Sequence, residues 1–124
     1  MSIPVDLTAL RAQIARFGPT AFLVTTTASG APHVTSVTVD AAPDELTMGC
    51  GRRTKANVEG RPELTLLWPV GPDPAYCLIV DARTVAVVDE TLHAHPTSAV
   101  LHRVADARKD IPSCLPIETA TAAD

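Results

Sequence analysis

The residues best equipped for chemistry lie together between Met48 and Pro69, in the run MGCGRRTKANVEGRPELTLLWP. Gly49 and Gly51 close an apolar stretch, and glycine permits the tight backbone that lets main-chain N–H groups approach a ligand. Arg52, Arg53 and Lys55 follow at once. Thr54 is placed to cap a short helical turn over Lys55 to Glu59, whose N-terminus would offer unpaired N–H groups and the positive end of a helix dipole. Between Gly49 and Arg61 the basic residues Arg52, Arg53, Lys55 and Arg61 oppose Glu59 alone, a local charge of +3 inside a chain of net charge −4. That is the chemistry of an anion site, set against the plainer reading of a solvated, arginine-rich turn. The run is neither a Walker loop nor a GxGxxG fingerprint.

Elsewhere reactive groups are sparse. His93 and His95 alternate on one strand face, but a zinc centre needs further ligands at known spacing, so no metal is expected. His33 and His102 are lone histidines. Asp81 and Asp89 have no partner across a site, and no GxSxG nucleophile motif is present, so no catalytic side chain is identified. The three cysteines, Cys50, Cys77 and Cys114, form no CxxC pair and are odd in number, which fits reduced thiols. A net charge of −4 and a pI near 5.4 argue against nucleic acid as a general partner and point to a small anionic ligand. Apolar runs fall far short of a membrane span and no signal peptide opens the chain, so a cytoplasmic protein without a membrane partner is expected.

The elements that must position the basic loop follow from the pattern. Leu7, Leu10, Ile14 and Phe17 recur at helical spacing, and Gly18-Pro19 ends the helix. Strands are expected over Thr20 to Thr27 and His33 to Asp40, joined through Ala28-Ser29-Gly30, then over Glu45 to Met48 and Glu63 to Trp68. Pro69, Gly71, Pro72 and Pro74 make a stiff loop before one long, bendable strand from Tyr76 to Asp89. A sixth strand, Thr91 to His95, is expected to turn at Pro96 into a helix carrying Ala99, Val100 and His102. The chain of 124 residues is read as one domain over 1–104 with a proline-broken tail over 105–124. Short antiparallel strands with helices at the margins make the fold mainly β, a small barrel.

GRRTKANVEGRPELTLLWP resembles the cofactor-phosphate segment of the pyridoxamine 5'-phosphate oxidase-like split barrels. In that family a strand leads to a basic residue and often threonine, then Asn-Leu, three residues, proline and an apolar strand. Arg53, Thr54, Asn57, Val58, Pro62 and the strand Leu64 to Trp68 fill those places. The run LLWPVGPDPAYCLIVDARTVAV is further similar to small actinobacterial-type members. The resemblance covers roughly Leu7 to His102 and implies a split barrel of about six antiparallel strands that binds FMN or, alternatively, the deazaflavin coenzyme factor 420. It implies that Arg53, Lys55 and Arg52 grip the cofactor phosphate, that Thr54 and Asn57 add hydrogen bonds, and that the strand carrying Val34 and Ser36 borders the ring. A flavin- or deazaflavin-dependent oxidoreductase acting on an unknown small molecule, with its cofactor at a homodimer interface, is the implied function. The alternatives are a non-catalytic flavin-carrying or interaction barrel and a heme-binding relative with His33 or His102 as axial ligand. This chain departs from the family where many relatives have a serine before the Arg-Thr pair. It also lacks the C-terminal extension of true pyridoxamine 5'-phosphate oxidases.

Overall fold

The structure is a computed structural model that describes residues 2–105. Cys114 and the expected tail beyond Ala105 lie outside the described residues. Strand β1 (Ser2–Pro4) is followed by a 3-10 turn, Leu7–Ala9, that leads into helix α1 (Leu10–Phe17). The helix expected from Leu7 therefore begins with a tighter turn. Its cap is Asp6, whose carboxylate accepts from the Thr8 N–H at 2.9 Å and is held below the usual carboxylate range by that bond. α1 buries Leu10 and Ile14 in the core.

Six strands close into an antiparallel barrel: β2 (Thr20–Thr26), β3 (Pro32–Ala41), β4 (Leu46–Gly49), β5 (Glu63–Trp68), β6 (Tyr76–Val88) and β7 (Thr91–Arg103). Their order is β7-β4-β3-β2-β5-β6, closed by β6 pairing with β7, and β1 adds to the outer edge of β7. Alternation sets the inside. Ala21, Leu23 and Thr25 of β2, Leu64, Leu66 and Trp68 of β5, and Leu78, Val80 and Ala82 of β6 all point into the core. Trp68 is buried, and its indole N–H donates to the Gly18 carbonyl at 2.8 Å, which ties the end of β5 to the corner between α1 and β2. The proline-rich loop folds back onto α1 so closely that a Cβ at Gly71 would collide with the Phe17 ring.

The long strand bends as its sequence suggests, with register shifts between Asp81 and Ala82 and between Thr84 and Ala86. The helix expected after Pro96 is a correction: β7 runs on to Arg103 as strand. Two circumstances accommodate the proline. On the β6 side it adjoins a shift at which Asp81 pairs with Ser98 and Ala82 with Pro96. On the other side β4 pairs only through Ala94 and β1 only from Val100, so Pro96 falls where a missing N–H removes little of the ladder. β1, three residues ending in proline, is too short to show any period and was not anticipated.

One asymmetry opens the barrel. β3 pairs with β2 from Pro32 to Thr38 on one edge, but with β4 only from Val39 to Ala41 on the other. The chain leaves β4 at Gly49 and turns into helix α2 (Arg52–Gly60). Among the described residues, Pro32 to Thr38 therefore have no strand neighbour on that side.

Candidate functional site

The start of α2 faces this open edge. A groove of about 660 Å³ lies between them, lined by His33 and Thr35 to Thr38 of β3, by Gly49 and Gly51, and by Arg52, Arg53 and Thr54. Its size is that of a small-molecule site. The lining stretch of β3 from His33 to Thr38 spans about 17 Å of extended chain.

α2 begins three residues earlier than expected, and Thr54 does not cap it. The cap residue is Gly51, in extended conformation, and among the described residues no side chain bonds the helix end. The first helical bond runs from the Lys55 N–H to the Gly51 carbonyl, so the N–H groups of Arg52, Arg53 and Thr54 have no acceptor within the helix. Thr54 lies instead within the first turn, buried and among the residues that line the groove. A Cβ at Gly49 or Gly51 would meet nothing within 4 Å, so both glycines border open space.

The arginines are free to act. Arg52 and Arg53 are exposed, and neither pairs with a carboxylate among the described residues. Among the described residues no carboxylate lines the groove. Of the remaining predicted residues, Ser36 lines the groove, Val34 is 57% exposed on the outer face of β3, and Lys55 is exposed on α2 outside the lining. Asn57 faces the other way. It is buried, and its amide donates to the Thr25 hydroxyl at 3.1 Å, which fixes α2 across the barrel end. Arg61, counted in the basic cluster by sequence, belongs to the far end of α2, where its Nε donates to the Thr26 carbonyl at 2.7 Å.

The loop entering α2 is braced from the opposite hairpin. The Cys50 N–H donates to the Glu90 carbonyl at 2.9 Å, and Asp89 and Glu90 both take positive φ values, 50° and 65°, to make that turn. A left-handed Glu costs about 1 kcal/mol or more, so this brace is held against local strain. The Cys50 thiol is no activated nucleophile, because burial raises its pKa despite Lys55 nearby. His93 bonds Glu45 at 2.8 Å and His95 bonds the Asp44 carbonyl, and among the described residues no cluster of metal-binding side chains forms.

The closed six-stranded barrel, its opening beside β3 and the flanking helices make the fold the split barrel of the pyridoxamine 5'-phosphate oxidase-like proteins. Solved structures agree. An FMN-binding protein from Syntrophomonas wolfei matches with a TM-score of 0.64 at 11% identity, over 79% of this chain and 86% of its own. An F420 reductase matches with a TM-score of 0.58 at 16% identity, over 68% of this chain and 91% of its own. HutZ, described as a heme storage protein of Vibrio cholerae, matches with a TM-score of 0.53 at 14% identity, over 76% and 94%. At such identities the likeness is one of fold. Uncharacterised proteins of Mycobacterium bovis and Mycobacterium tuberculosis are 42% identical to this chain over 69 residues, 51% of it and 47% of them. The chain thus spans about half the length of the curated relatives it matches. No protein-family model matches the chain. No helix among the described residues is long and apolar enough to cross a membrane.

Proposed function

We propose that the groove binds the phosphate of FMN or of the deazaflavin coenzyme factor 420, and that the protein is an oxidoreductase working through that cofactor. One observation carries this: a helix N-terminus that, among the described residues, is uncapped, with Arg52 and Arg53 in no ion pair, opens onto a strand edge without a strand neighbour. The donor set suits the ligand. Three N–H groups and the Arg52 and Arg53 guanidiniums match an anionic head, while the edge of β3 offers alternating donors and acceptors to a planar heterocycle. Arg53, with Arg52 and Lys55, would hold the phosphate and Thr54 would add its hydroxyl. Val34 and Ser36 would border the ring, and Asn57 would keep α2 in place through Thr25. When bound, the ring supplies hydride or electron transfer, which suits a groove with no carboxylate in its lining among the described residues.

A second copy of the chain completes the reading. Phe22 is 42% exposed and Val34 57%, and on the outward face Phe22 pairs with Leu67 of β5 while Val34 pairs with Val24, two residues further along β2. This outward apolar face suits burial against another barrel, as a homodimer. Light scattering on the cofactor-loaded protein should give twice the chain mass; a loaded monomer would sink the dimer. Its compartment in this reading is the reducing cytoplasm, in keeping with the free Cys50 and Cys77 thiols.

The central test is Arg53. A charge-assisted bond contributes about 1.5 to 3 kcal/mol, so Arg53→Ala should weaken cofactor binding roughly 10- to 150-fold with little effect on folding. Arg53→Lys should rescue only in part, since an ammonium lacks the planar fork. Titrations with FMN and with factor 420 decide it: equal affinities for all three proteins remove Arg53 from the site. The barrel of HutZ gives the rival carrier reading its footing, and a Soret band on reconstitution with heme would favour it.

A further inference from the structure

The groove holds one polar side chain that packing alone does not explain. His33 lines it, and its Nδ1 is buried without a hydrogen-bond partner among the described residues. Its cross-strand neighbour does not help. Thr25 pairs with His33 in the β2–β3 register, but its hydroxyl, which accepts from Asn57, makes no bond to the His33 ring. A proton on Nδ1 would be a buried N–H with nothing to receive it, whereas a lone pair there is the lesser loss, because orphaned acceptors are tolerated better than orphaned donors. In a neutral ring that arrangement leaves Nε2 as the N–H donor available to the groove.

We propose that His33 is the groove's ring-recognition residue, donating from Nε2 to a carbonyl or ring-nitrogen acceptor on the pyrimidine edge of a bound flavin or deazaflavin. This rests on the cofactor reading above. His33 stands at one end of the lining stretch of β3. The division of labour is chemical. The start of α2 and its arginines recognise charge, and His33 recognises a neutral acceptor that flavins and deazaflavins share.

Three probes separate the two roles: FMN, riboflavin, which lacks the phosphate, and factor 420. His33→Ala should weaken FMN and riboflavin by the same factor, about 3- to 10-fold as for one neutral hydrogen bond, and factor 420 similarly. Arg53→Ala should weaken FMN and spare riboflavin. Glutamine can place its amide nitrogen near the position of Nε2, while asparagine reaches only that of Nδ1, so His33→Gln should recover affinity and His33→Asn should not. A merely structural histidine predicts the reverse: no glutamine rescue, and loss of inorganic phosphate binding along with the flavins. If wild type binds FMN or factor 420 and His33→Ala binds it equally well, the inference alone is overturned. If wild type binds neither, the cofactor reading fails and the inference with it.

Discussion

Gly51→Asp should yield a protein that folds at least as well as wild type and binds a phosphorylated cofactor about 100-fold more weakly, or worse. Gly51 sits at φ −80° and ψ 177°, a conformation any residue adopts, and a side chain there enters open space. An aspartate at this cap accepts from the N–H groups of Arg53 or Thr54, adding a few tenths of a kcal/mol to the helix relative to glycine. It thereby takes up the donors an external phosphate needs and sets a negative charge beside it. Gly51→Ala is the control, with the same backbone and no acceptor, and should bind nearly as wild type does. Calorimetric titration with FMN and factor 420, paired with a thermal melt, reads both sides of the exchange. Undiminished affinity in Gly51→Asp would show that the phosphate binds elsewhere.

Trp68→Ala should cost about 3 to 5 kcal/mol, a large share of the roughly 5 to 15 kcal/mol that holds a domain of this size. Trp68 is 1% exposed, and it both fills the barrel and anchors the Gly18 carbonyl through its indole N–H. Trp68→Phe separates the two contributions. It keeps most of the apolar volume but leaves that carbonyl unpaired, so the loss should be nearer 1 to 2 kcal/mol. Urea unfolding should give midpoints in the order wild type, Trp68→Phe, Trp68→Ala. If both variants match wild type, Trp68 is an interface residue and not a pillar of the core.

Much of the fold was legible because local signals agreed with the final contacts. The Leu7, Leu10, Ile14 and Phe17 spacing led to a helix that does bury Leu10 and Ile14. Ala28-Ser29-Gly30 marked a hairpin, and Gly30 does adopt a positive φ of 88°. The end of β7 was not legible, since Pro96 reads locally as a stop and only pairing with twelve residues of β6 carries the strand through it. The groove at the start of α2 was foreshadowed as composition, in Gly49, Gly51, Arg52 and Arg53, but the placing of its neighbours was not. Thr54 has the chemistry of a cap and Arg61 that of a phosphate ligand. Where α2 begins and ends turned the first inward and gave the second to the Thr26 carbonyl. The open edge of β3 was invisible because it depends on how far two partners extend along one strand, and no window of sequence contains that.

That edge, open among the described residues, is also expected to govern solubility. An uncovered strand is a template on which another chain can add, and proteins usually guard it with charge, proline or a bulge. β3 has Pro32 at its start but no charged residue from His33 to Val39. An occupant of the groove would cover the same backbone that a stray strand would seek. The ligand-free barrel is thus expected to aggregate through β3 before it unfolds, and a bound cofactor to act as its chaperone.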